Sequence, residues 1–191
     1  MQVIPRFLML FLCWGLAACA TPSVAQPVAS AAAPPAWWAA HVRYMTEGGG
    51  VWRTPNPAAA TDPAQPDAFG MEWRAVNDGR GLIGRLYGIE AGRETSEFWT
   101  FREFFHPGER RVLVHQWGGP GAYGFGETTS LGEDRFQLDQ TFWLPDGRSW
   151  REGHRTHEQG DAYVTDVFDI GADGQWVARN SNTWTRVRGA Q

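Results

Sequence analysis

From residue 51 onward, apolar and polar positions alternate in short runs, and turn residues separate the runs. A period of two marks a strand with one face turned inward. Segments rich in aromatic and β-branched residues place strands at 51–54, 69–76, 81–90, 95–106, 110–117, 121–130, 134–144, 148–157, 161–170 and 175–187. The punctuation between them is explicit: Asn77-Asp78-Gly79, Pro107-Gly108, Gly118-Gly119-Pro120, Pro145-Asp146-Gly147, Gly160-Asp161 and Ala172-Asp173-Gly174. About ten sequential strands joined by tight turns predict an all-β fold, an up-and-down antiparallel β-barrel. A twisted sheet of that length curls, and closure removes both exposed edges. One connection is long: PNPAAATDPAQPDA, 55–68, has no apolar pattern and suits a flap over the barrel mouth.

Before the first strand the period changes. AWWAAHVRYMTE, 36–47, puts Trp37, His41 and Tyr44 on one helical stripe and Trp38, Val42 and Met45 on another. Gly48-Gly49-Gly50 ends it. A helix this short needs something to pack on, and plugging one end of the barrel would provide it.

The N-terminal region has a different character. Arg6 precedes an apolar run from Phe7 to Ala18 that is too short to span a bilayer, the layout of a secretory signal. Leu16-Ala17-Ala18-Cys19 resembles a bacterial lipobox, which implies residues 1–18 as a lipoprotein signal peptide and lipidation of Cys19. An ordinary signal cut near Ala25 is the alternative. The only cysteines are Cys13 and Cys19, so no disulfide supports the folded body. Ala20, rather than Asp, follows Cys19, and the resemblance then implies a protein tethered to the outer membrane and facing the periplasm. Residues 19–35, rich in proline and alanine and without charge, form a tether. It reaches roughly 50 Å at about 3.1 Å per residue.

The domain at 36–191 is long enough to bury a core of its own. The chain carries 17 basic side chains, all arginine, against 21 acidic ones, so nothing resembles a nucleic-acid footprint.

Gly50-Val51-Trp52, a Gly-x-Trp opening the first strand just after a helix, resembles the signature of the calycin (lipocalin-like) group. The resemblance implies that Trp52 packs under an arginine of the last strand, which Arg186 in TWTRV would supply. It covers roughly 36–188 and implies a cup for a small molecule. The second lipocalin motif is represented at best by Thr165-Asp166. The chain is thus more similar to small bacterial calycin-like families than to the transport proteins.

The histidines in REGHRTHEQGD, 151–161, raise the question of a metal site. Residues three apart on a strand face opposite ways, so His154 and His157 do not share an ion. No cysteine or third histidine completes a set, and no metal or cofactor is expected. Alternation puts Trp150, Glu152, His154 and Thr156 inward, with Arg151, Arg155 and His157 in solvent. Phe136, Leu138, Gln140 and Phe142 form the matching face of the preceding strand.

The predicted ligand cup combines Trp73, Trp99, Phe125, Phe142 and Trp150 with polar groups at Gln116, Glu127, Gln140, Glu152 and His154. Three functions remain open. One is a binding module for a small, partly apolar molecule. Another is an enzyme using Glu152 and His154, about 7 Å apart at β spacing, as an acid–base pair. The third is a structural or partner-binding lipoprotein whose interior polar groups satisfy one another. GGPGAYGFGE, 118–127, lacks the Gly-Lys-Ser/Thr end of a phosphate loop.

Overall fold

The computed structural model describes residues 32–119 and 121–189. The expected signal at 1–18, Cys19 and most of the expected tether fall outside the described residues, as does Pro120 of the 118–120 turn. Among the described residues, one α-helix, α1 (Ala36–Thr46), is followed by a 3-10 turn at Glu47–Gly49. Ten strands come after it: β1 (Val51–Pro55), β2 (Ala68–Val76), β3 (Gly81–Glu90), β4 (Arg93–His106) and β5 (Arg111–Gly118). The second five are β6 (Ala122–Gly132), β7 (Arg135–Trp143), β8 (Ser149–Gln159), β9 (Ala162–Ile170) and β10 (Trp176–Arg186). Each strand pairs antiparallel with the next, and β10 returns to β1, giving a closed up-and-down barrel. The strand positions expected from the alternation agree with these within about two residues.

The barrel closes over a short seam. Only Trp52↔Arg186 and Arg53↔Thr185 pair between β1 and β10. The seam is secured by side chains instead. Trp52 is completely buried, and its indole N–H donates to Met45 O at 3.0 Å. The Arg186 guanidinium lies 4.2 Å from the Trp52 ring centroid and donates to Tyr44 O and Glu47 O at 2.8 and 2.7 Å. These carbonyls lie at the C-terminal end of α1, where a cation also favours the helix dipole. Gly48, at φ 65°, lies against the arginine stem, where a Cβ would fall 3.3 Å from Arg186 Cδ, and Gly50, at φ 71°, passes close to β2, where a Cβ would fall 2.1 Å from Trp73 O.

Helix α1 plugs the end where β2–β3, β4–β5, β6–β7 and β8–β9 turn. Trp38 donates to Arg80 O at 3.2 Å and Tyr44 to Ala162 O at 2.6 Å. His41 Nδ1 lies 2.7 Å from Glu158 Oε1, with both groups buried. Trp38, Val42, Met45, Trp52, Leu82, Phe105, Val112, Tyr163 and Trp184 share one core cluster here. Side chains of this size contribute about 1.5–3 kcal/mol each when fully buried.

The 55–68 connection lies at the opposite, open end, but it is no flap. It folds into a 3-10 turn at Pro57–Ala60, and Asn56 ties it together by donating to Pro66 O at 2.9 Å and accepting from Ala58 N at 3.2 Å. Asp67 accepts from Ala91 N at 2.8 Å, fastening the loop to the β3–β4 turn. None of its residues lines the interior cavity.

Candidate functional site

The interior between the helical plug and the open end holds a cavity of about 390 Å³. Its floor is made by His41 and Met45 of α1 with Tyr163 and Trp184. Trp73 and Phe101 stack at 5.2 Å and form one wall. Toward the open end Phe142 stacks on Trp150 at 4.8 Å and meets the edge of Trp99 at 5.5 Å. The polar groups fall into two banks. Glu103, Gln116 and Thr128 come from β4, β5 and β6; Glu152, His154, Thr156, Thr165, Arg179, Asn180 and Asn182 come from β8, β9 and β10. In a ring of ten strands β4 and β9 are five apart, so the banks face each other across the lumen. Asn180 lines the cavity and is solvent-exposed, so the cavity meets water along upper β10.

Of the residues expected to form the cup, Trp73, Trp99, Gln116, Phe142, Trp150, Glu152 and His154 line it. Gln140 lies behind the lining, fully buried, and donates from Nε2 to Gln116 Oε1 at 3.3 Å. Its buried oxygen has no partner among the described residues. Arg151, Arg155 and His157 face out, as alternation requires. Arg151 pairs with Asp139 at 2.8 Å, and Arg155 lies 5.0 Å from the Phe168 ring centroid.

Phe125 and Glu127 do not belong to the cup. Both face outward: Phe125 meets His115 edge-on at 5.0 Å, and Glu127 pairs with Arg111 at 2.9 Å. The inward set of β6 is Ala122, Gly124, Gly126 and Thr128. The bulk comes from the neighbouring strand: a Cβ on Gly124 would lie 2.5 Å from Phe142, and one on Gly126 2.5 Å from Gln140 Cβ. Phe142 and Gln140 occupy the space that side chains on β6 would need, so its glycines face inward and its aromatics outward.

Glu152 and His154 are also arranged differently from the expectation. They do not flank a space; His154 Nε2 bonds Glu152 Oε1 directly at 2.9 Å. The other carboxylate oxygen accepts from Arg179, which reaches on to Asp169 at 2.9 Å. Burial alone would raise the Glu152 pKa, but the bonds from His154 and Arg179 outweigh it and hold the carboxyl below its ordinary value. Glu152 is therefore an anion that orients a histidine.

Glu103, absent from the expected cup, is its most distinctive member. It is 9 % exposed, and among the described residues its carboxyl group makes one hydrogen bond, a long one accepted from Thr128 Oγ1 at 3.5 Å. Burial pushes its pKa up, and His41, His154 and the Thr128 bond only partly counter this. The strand FWTFREFF carries aromatics of both parities, which hides its inner face. The partner strand resolves it, because Phe101, Glu103 and Phe105 pair with Gln116, Val114 and Val112. Nearby, Tyr163 donates to Met71 Sδ at 3.2 Å, and burial raises its pKa far above the usual range. The Trp73 indole N–H acts on the Tyr163 hydroxyl but does not reach hydrogen-bond geometry, and it has no other partner.

Among the described residues, no group of three histidine, cysteine, aspartate or glutamate side chains is placed to hold a metal ion. Chemically the cavity offers aromatic faces, an oriented histidine and one buried carboxyl group without a charged partner. No model of a known protein family matches the chain, and no curated protein matches it.

Proposed function

We propose that this protein is a lipid-anchored envelope protein whose calycin-like barrel binds a small, partly apolar molecule. The observation that carries the reading is the cavity of about 390 Å³, walled by aromatic rings and crossed by two polar banks. Small-molecule sites are typically concave and mostly apolar, with a few placed polar groups, in volumes of about 300–1,000 Å³. The Arg186 guanidinium over Trp52, at the start of the first strand, supports the calycin resemblance. The Leu16-to-Cys19 pattern supports an anchor at Cys19 and a place on the outer membrane facing the periplasm. Cys19→Ser should abolish acyl labelling and move the chain out of the membrane fraction; unchanged labelling would overturn the anchor.

The binding reading is tested by displacement of an apolar fluorescent dye from the full chain. Thr165 projects into the cavity from β9, and Thr165→Phe should fill it. Dye uptake should fall at least tenfold in that variant while the circular dichroism of the barrel is kept. Equal uptake in both proteins would place the dye elsewhere and overturn the reading.

The bonded Glu152–His154 pair supports a second reading, an enzyme in which Glu152 holds His154 as a general base. Turnover lost in both Glu152→Gln and His154→Ala, with affinity retained, would identify it. The cavity of about 390 Å³ supports a ligand site over a structural lipoprotein with a packed barrel.

A further inference from the structure

We infer that the cavity selects a small organic cation, a primary amine on an apolar body, with Glu103 as its counter-ion. This rests on the reading of the cavity as a ligand site and names the class of ligand.

Three features carry it. The first is the distribution of charge inside the barrel. Glu158 is engaged by His41, and Glu152 by His154 and Arg179. Among the described residues, Glu103 has no cationic partner within bonding reach, only the long contact to Thr128. Of these three interior glutamates, the one without a cationic partner lines the space where a ligand would sit. The second is the surroundings of that carboxyl group. Phe101 is its inward neighbour on β4, with Trp73 stacked on Phe101 at 5.2 Å, and Tyr163 and Trp184 close the floor. Ring faces attract cations, more strongly where water is excluded. The third is hydrogen-bond capacity. An ammonium has three donors and no acceptor. Glu103, Thr128 Oγ1 and Gln116 Oε1 lie on adjacent strands of one wall and can accept them, whereas a quaternary ammonium would leave them unused. A carboxyl group buried without such a partner is costly, and the amine supplies the partner.

Proton linkage follows from the same geometry. The titratable and charged groups that share the cavity with Glu103 are His41 of α1, with Glu158 of β8 behind it, Glu152 and His154 of β8, Tyr163 of β9 and Arg179 of β10; the lining that β5 and β6 contribute, Val114, Gln116 and Thr128, carries no charge. Burial keeps the free carboxyl protonated beyond the ordinary glutamate range. Binding an ammonium should therefore expel that proton. Affinity for an amine should rise with pH up to the raised value of Glu103 and then level off, while a neutral ligand shows no such rise.

The test is isothermal titration of the full chain with 2-phenylethylamine and with 2-phenylethanol, its uncharged counterpart. Each is run in two buffers of different ionisation heat so that released protons are counted. The amine should bind at least tenfold more tightly and release up to one proton, and Glu103→Gln should bring the two ligands within about twofold. Glu103→Asp should restore part of the preference. If the alcohol binds as well as the amine, or no proton is released, the inference fails while the cavity stays a ligand site. If neither binds, the inference fails too, and dye displacement decides separately whether the binding reading survives. Should Glu103→Gln not fold, the wild-type preference and proton count still decide.

Discussion

At the plugged end of the barrel, Trp38, Tyr44 and Trp52 each give their donor to a carbonyl, and His41 and Glu158 satisfy one another in a dry setting. A few ångströms further along the same strands the pattern breaks. Glu103 has one long contact, and the Trp73 N–H has none. Both regions are aromatic, and the same alternation builds both. They differ in counter-charge: at the plug Arg186 Nε and Nη2 make no hydrogen bond but lie 3.4 and 3.6 Å from the Asp161 and Glu47 carboxylates, whereas Glu103 has no such partner among the described residues. Buried polar groups are normally paired, so a carboxyl group left without a partner is where an outside one can complete it. The two glutamate–histidine pairs show the same contrast. Glu158–His41 is buried against the helix, with only His41 reaching the cavity floor, whereas both Glu152 and His154 line the cavity and Glu152 is tied to the half-exposed Arg179.

The largest expected effect lies at the plug. Trp52→Ala removes a completely buried ring together with the seat of Arg186 and should cost about 3–5 kcal/mol in urea denaturation. A loss below about 1 kcal/mol would mean that the helix does not hold the barrel shut. Next, Trp150→Ala at the open end should cost only about 1–2 kcal/mol, since the ring is half-buried, yet weaken dye binding about tenfold. The two tryptophans should therefore separate stability from binding.

The two glutamates should separate in sign. Glu158→Ala leaves His41 buried without its partner and should cost about 1–3 kcal/mol. Glu103→Gln removes a buried ionisable group and should leave the melting temperature at neutral pH unchanged or raise it. The pH profile sharpens this. The folded state holds the Glu103 proton more tightly than the unfolded chain, so its contribution falls as pH rises from the ordinary glutamate range through the raised value. Glu152 acts the opposite way: its contribution is present above the ordinary glutamate range and is lost as pH falls through its depressed value. Melting followed from about pH 2 to 9 should show the alkaline decline flattened in Glu103→Gln and the acid decline flattened in Glu152→Gln. The smallest effect belongs to the outer face. Phe125→Ser should change ligand binding not at all, and any loss of affinity would contradict its outward position.

Much of this architecture is legible in the chain itself. Turn residues mark the hairpins, and β7 and β8 alternate cleanly between apolar or pocket-forming residues and solvent-facing ones, so their inward sets are read directly. Two strands defeat the pattern for different physical reasons. In β6 the inward positions include glycine, because Phe142 and Gln140 of β7 fill the space, and apolarity then points to the wrong face. In β4 aromatics occupy both faces, since Phe104 is covered outside by His115 at 5.6 Å. Glu103 is hidden in that ambiguity. The Glu152–His154 bond escapes for another reason: strand spacing fixes Cβ positions, whereas rotamers decide whether two tips meet.

Native mass spectrometry of the full chain, with Thr165→Phe beside it, tests most directly whether the unpaired half of the interior is a ligand site. The wild type should carry, or take up from an amine mixture, a small molecule that the folded variant does not hold. A bare wild-type mass under every loading condition, or an adduct that persists in Thr165→Phe, would contradict it.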